Sequence, residues 1–256
     1  AIFIQAFPRE CTETFLEGHR RAFEYFGGVP RRISYDNSAI AVIEVLSGRE
    51  RKLTREFLRL QSHYLFQEHF CLVRRPNEKG QVERLIGFAR RNFLVPVPEV
   101  ASLTVLNGRL LESVRADLTE RTRGKPASKN DLLAEDQARF LPLPQQPFEA
   151  RRIEQRTADS QSLVRFDTND YSIPHTLARK PLTLLADDAT VRVMHGEELV
   201  ATHVRSYAKR QVIEDLAHID PLVAEKKRAW ELRGRDRLRA LCPHANALLE
   251  VIAARN

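Results

Sequence analysis

Chemistry on a polyanion needs carboxylates to hold hard cations and basic groups to receive the substrate. One stretch of this sequence, Val73 to Phe93, supplies both. A Pro-Asn-x-x-Gly loop, Pro76 to Gly80, opens it, and an amphipathic helix follows. Val82, Leu85, Ile86, Ala89 and Phe93 fall on one apolar stripe. Glu83 lies at the edge of that stripe near the helix start, where the macrodipole favours an ionised carboxylate. Lys79, Arg84, Arg90 and Arg91 stand around it. A carboxylate ringed by cations suits a site that holds metal ions and receives a polyanion.

A second carboxylate lies upstream. Ile33 to Tyr35 reads as a short buried strand after the Gly27-Gly28-Val29-Pro30 turn. Asp36 then falls at the C-terminal end of that strand, the place where open α/β sheets bind their ligands. Taken alone, Asp36-Asn37 also reads as a turn or helix cap, and Glu83 as a solvated helix residue. The order of the two elements carries more than either does.

Tyr35-Asp36-Asn37 and Asn77-Glu-Lys-Gly-Gln-Val-Glu83-Arg84, followed by Arg90-Arg-Asn-Phe-Leu-Val-Pro-Val-Pro98, resemble the catalytic domain of DDE transposases and retroviral integrases. The likeness is strongest to IstA-type insertion-sequence transposases. The acidic pair is 83 − 36 = 47 positions apart, which fits the extra helix of IstA-type chains. The resemblance implies an α/β, ribonuclease-H-like catalytic core, incomplete at its N-terminus. It also implies a strand transferase that cleaves transposon ends and joins the 3′ hydroxyls to target DNA. Asp36 and Glu83 would be two of the ligands of two Mg2+ or Mn2+ ions, the ions about 4 Å from each other and holding the attacking and leaving oxygens in line. Asn37, Arg74, Arg75, Asn77, Lys79, Arg84, Arg90 and Arg91 would contact DNA. The implied partners are transposon-end and target DNA, an IstB-type AAA+ ATPase and further copies of the chain. The implied location is the bacterial cytoplasm, at the nucleoid. The family needs a first Asp on an earlier strand, and no Asp precedes position 36. The expectation is a fragment lacking the N-terminal part, including a helix-turn-helix region. A decayed element that binds and assembles without catalysis, or a nuclease of the same fold, are the alternatives.

Composition agrees with a nucleic-acid partner. The 256 residues carry a net charge of +7 and are 43% hydrophobic. Between Arg49 and Arg91, eleven basic residues face five acidic ones, a difference of 11 − 5 = +6 that nearly equals the whole excess. Phosphate contact follows, with binding that weakens as salt rises. No apolar run of about 18 residues argues for a membrane span. Cys11, Cys71 and Cys242 are scattered and odd in number, a reducing-compartment pattern without zinc spacing. No Gly-x-x-x-x-Gly-Lys loop is present.

In chain order, the sequence predicts a strand over Ala1–Phe7 and a helix over Thr12–Phe26 ended by Gly27-Gly28. It predicts short helices at Ala39–Leu46 and Arg49–Tyr64, a strand at Leu65–Val73, then the Glu83 helix. Residues 1–95 would form the core. Residues 96–155 would be a helical connector, with helices near Leu103–Leu118 and Asp131–Phe140 and an extended linker at Leu141–Pro147. Residues 156–207 would be the next domain, and from Ser162 to Tyr207 the period changes to two. Strands at Leu163–Phe166, Tyr171–Ile173, Leu182–Leu185, Val191–Met194 and Glu198–Ala201 predict a small antiparallel β-barrel. Residues 208–256 would be a helical C-terminal segment, dense in charge from Glu225 to Arg239.

Overall fold

Helix α1 (Thr12–Phe26) forms where a cap, an apolar face and a stop signal coincide. The Cys11 backbone N–H donates to Thr14 Oγ1 at 3.1 Å, half of a capping box. Gly27 ends the helix at φ 69°, a left-handed conformation that glycine adopts without a Cβ clash. The structure is a computed structural model that describes residues 1–35, 39–46, 50–71, 76–122 and 124–253. The chain is mixed α/β, with helices and several sheets in two compact units. One comprises 1–152 with 186–188, the other 153–185 with 189–256.

In the first unit, β1 (Arg32–Tyr35) pairs in parallel with β4 (Gln67–Phe70), from Arg32 opposite Gln67 to Tyr35 opposite Phe70. Between them lie an antiparallel pair, β2 (Val42–Val45) and β3 (Arg51–Leu53), and α2 (Arg55–Tyr64). Thr54 caps α2 by accepting the Phe57 N–H at 3.3 Å. The buried residues of α1, β1, α2 and β4 make one cluster: Leu16 and Phe23, Tyr35, Phe57, Leu60 and Tyr64, and Phe70. Then follow α3 (Pro76–Phe93), α4 (Leu103–Asp117) and α5 (Lys129–Gln137).

Several expectations change here, each for a local reason. Ala1–Phe7 forms no strand. The Asn107 side chain instead accepts the Ala6 N–H at 2.7 Å and donates to the Ala6 carbonyl at 3.0 Å, as a neighbouring strand would. Residues expected as a helix at 39–46 contain β2, whose β-branched Val42, Ile43 and Val45 suit a strand. The helix expected from Arg49 begins only at Arg55, because Thr54 caps it and β3 occupies Arg51–Leu53. The expected loop before Glu83 is helical from Pro76, a residue tolerated in a first turn. The segment 141–147 is no free linker. Leu141 exchanges backbone hydrogen bonds with Val29 at 2.8 and 2.9 Å, and Phe148 beyond it enters the core cluster.

Among the described residues the second unit holds seven strands. β5 (Arg152–Thr157), which the sequence reading missed, joins β8 (Pro181–Ala186), β9 (Thr190–His195) and β10 (Glu198–Val204) in the order β10-β9-β8-β5. A second sheet has the order β11-β7-β6, from β6 (Leu163–Phe166), β7 (Asn169–Ser172) and β11 (Val212–Ile213). The expected five strands are present, but hydrogen bonding divides them between two sheets, and β11 joins β7 in parallel. Val164, Phe166, Leu182, Leu184, Val191 and Val193 alternate inward. Helices α6 (Leu216–Leu241) and α7 (Ala245–Ala253) complete the expected helical segment. No helix among the described residues is long and apolar enough to cross a membrane.

Candidate functional site

The parallel pairing of β1 and β4 puts the C-terminal ends of both strands at one sheet edge. The Cys71 N–H donates to the Tyr35 carbonyl at 3.0 Å, so the pairing holds to the last described residue on each side. Asp36 is the next residue after Tyr35, and the chain beyond β4 leads into α3, which carries Glu83. Asp36, Asn37, Arg74 and Arg75 lie outside the described residues. The backbones of Asn77 and Lys79 belong to α3, while their side chains also lie outside the description.

Glu83, Arg84, Arg90 and Arg91 are all exposed on α3, open to a large polyanion. Part of the apolar stripe is exposed: Leu85 is 52% exposed and Ile86 49%, while Ala89 and Phe93 are half-buried. One contact does fix a side of the helix. Lys129 of α5 sits over the Phe88 ring at 5.5 Å while forming an ion pair with Asp117 of α4 at 2.6 Å.

Tyr35 anchors the end of β1. Its ring packs against Phe57 at 5.1 Å and His19 at 5.5 Å, and the side chain is 8% exposed. Burial, and then the nearby Glu68 carboxylate, push its hydroxyl well above the ordinary phenol value. The hydroxyl is buried without a hydrogen-bond partner among the described residues. Tyr35 is therefore a neutral, inward-facing wedge rather than a reactive group.

A cleft of about 660 Å³ opens beside the same sheet, lined by Arg32, Leu46, Glu50, Arg51, Glu68, His69 and Phe70. The sequence reading did not single out Arg32 or Glu68 as site residues. A signal existed: Arg32 and Ser34 on β1, with Gln67 and His69 on β4, occupy the alternate positions that face away from the core. The Ser34 hydroxyl and His69 Nδ1 are bonded across the strands at 3.2 Å. Not every base counted in the charge excess serves a ligand. Arg51 donates to the Cys71 carbonyl at 3.1 Å, and Arg59 to the Glu149 carbonyl at 3.0 Å while stacking on Phe148.

Among the described residues no group of three or more His, Cys, Asp or Glu is arranged to hold a metal ion. The donor chemistry of the two candidate carboxylates nevertheless suits hard cations, which take oxygen ligands.

Comparison with known proteins gives this arrangement its family. The family described as Mu transposase, C-terminal domain, matches residues 143–215. A transposase of Aminobacter aminovorans is 30% identical over 232 residues, 88% of this chain and 46% of that protein. The chain belongs to the insertion-sequence transposases. Its resemblance is to the IS21 type. The transposase for insertion sequence element IS21 of Pseudomonas aeruginosa is 30% identical over 77% of this chain and 51% of its own length. The transposase for insertion sequences IS1326/IS1353 of the same species is 31% identical over 81% of this chain and 41% of its own. The chain thus spans about half the length of the curated relatives it matches. A solved simian T-cell lymphotropic virus intasome, in complex with PP2A regulatory subunit B56 gamma, overlaps 78% of this chain at 14% identity, with a TM-score of 0.35. That value is too low to define a shared fold.

Proposed function

We propose that this chain is the part of a DDE-type DNA transposase that holds two of its metal-binding carboxylates, Asp36 and Glu83, in a ribonuclease-H-like core. The observation that carries the reading is the parallel register of β1 and β4, which brings Tyr35, the residue before Asp36, and Cys71, the last described residue before α3, to one sheet edge. Relatives named as transposases over most of the chain support it. When bound, a pair of Mg2+ or Mn2+ ions supplies charge neutralisation on the attacking and leaving oxygens of a phosphodiester. Asp36 and Glu83 would hold them, and Arg84, Arg90 and Arg91, exposed beside Glu83, would receive the phosphates. Asn37, Arg74, Arg75, Asn77 and Lys79 would extend that surface. In the reaction a 3′ hydroxyl of the transposon end attacks a target phosphodiester. A new P–O bond forms as the old one breaks, and the proton leaves with the released 3′ oxygen. An IstB-type ATPase, a second copy of the chain, and the bacterial cytoplasm at the nucleoid complete the proposal.

The test uses a transposition-competent protein that contains this chain. Glu83→Gln keeps size and polarity but removes the charge that binds a cation. It should abolish cleavage and joining while DNA binding persists, and Glu78→Gln should leave substantial activity. An active Glu83→Gln protein would refute the assignment. Cleavage without joined product in the unsubstituted protein would make it a nuclease instead.

A further inference from the structure

Helix α6 starts firmly attached and then runs bare. The Asp215 N–H donates to Ser172 Oγ at 2.8 Å, and His218 Nδ1 bonds the same oxygen at 3.0 Å. His203, beneath them, bonds the Ser172 carbonyl through Nε2 at 2.7 Å. The first turn of α6 is thereby tied to β7. From Val223 through Trp230 every residue is exposed, so no face of that stretch is covered. Trp230 is 81% exposed and Val223 41%. A helix without a buried face draws little stability from packing, and a fully wetted indole is unfavourable in an isolated protein.

What the bare stretch carries narrows the partner. Lys226, Lys227 and Arg228 face a single Glu225, and Trp230 lies one turn beyond Lys226 on the same side of the helix. A second copy docking this stretch against its own equivalent would oppose cation to cation. A polyanion would neutralise all three while covering the indole. We propose that α6 is a duplex-DNA contact separate from α3. Lys226, Lys227 and Arg228 bind backbone phosphates, and Trp230 lays its ring against the adjoining sugars. This rests on reading the chain as a DNA transposase, and adds a second site of contact to it.

The chain contains a single tryptophan, so Trp230 reports on its own site. A random-sequence duplex titrated into the full chain at low salt should quench and shift its emission. Binding is followed in parallel by anisotropy of labelled DNA. Joint replacement Lys226→Glu, Lys227→Glu and Arg228→Glu should weaken binding at least about tenfold and remove the quenching. It should also flatten the slope of log affinity against log salt by about 2.7, since each phosphate contact contributes about 0.9. Tight DNA binding with unchanged Trp230 emission and an unaffected variant would overturn the α6 contact and leave the transposase reading intact. No DNA binding at all would overturn both. Emission that changes with protein concentration but not with DNA would assign the helix to a second copy and overturn the proposal.

Discussion

Strand β8 and helix α3 both carry regular apolar patterns, and they meet opposite fates. In β8 the alternation is realised: Leu182 is 3% exposed, and Leu184 and Ala186 are fully buried. In α3 the 3.6-residue stripe is equally clear in sequence, yet Leu85 and Ile86 remain half-exposed. The difference lies in where each element finds its cover. A strand's ladder partner is often the next strand along the chain, as β9 is for β10 across the two-residue turn Gly196-Glu197. A helix must find its cover elsewhere. Periodicity names the face that wants burial; it does not supply the surface that buries it.

The comparison is sharpest when one substitution is made at both places. Leu184→Ala removes a side chain with no exposure and leaves a cavity, so it should cost about 2–5 kcal/mol. Urea unfolding followed by circular dichroism measures this. A loss under about 1 kcal/mol would mean that the second unit's core is looser than its burial implies.

The same logic explains what the sequence made legible. Helix α1 and its Gly27 stop were readable because cap, stripe and terminator agree within one segment. The strands β6 to β10 were readable from period two. The connector was not. Pro142, Pro144 and Pro147 signal an extended chain, but nothing local says that Phe148 will sit beside Tyr64 with ring centroids 5.8 Å apart. Ala1–Phe7 misled for the reverse reason: an apolar run reads as a strand, and its hydrogen-bonding partner is a side chain, Asn107. For the candidate site, the Tyr35 strand and the Glu83 helix were legible as elements. The pairing of that strand with β4 was not, because it depends on the β1–β4 register, a contact between residues some 35 positions apart, as Tyr35↔Phe70. The cleft residue Arg32 was missed because a polar residue on an outward strand position looks like ordinary surface.

A smaller effect, read at His203 of the second unit, comes from pH. Burial lowers the His203 imidazole below its ordinary 6.5; the hydrogen bond to the Ser172 carbonyl opposes this, His218 adds to it, and Asp215 opposes it weakly. The neutral ring is thus favoured in the fold, and the unfolded chain takes up the proton more readily. Its contribution is complete above about 6.5 and is lost as pH falls from there through the lowered value. Unfolding midpoints measured across this window should fall on the acid side. His203→Gln, which keeps a donor for Ser172, should lessen that fall. An identical acid limb in the variant would place the titration elsewhere.

The least effect is expected on α3. Leu85→Ala exchanges two good helix formers, so backbone propensity changes little. At 52% exposure the leucine gives up only part of its contact on truncation, and the flanking helix need not collapse around a cavity. The expected change is within about 0.5 kcal/mol, against several for the same substitution at Leu184. Adding Ile86→Ala, at 49% exposure, should at most double it. A loss above about 2 kcal/mol for Leu85→Ala alone would mean that the stripe is covered in solution. In that case Glu83, two positions along the same helix, would be held against whatever surface covers it rather than standing open to DNA.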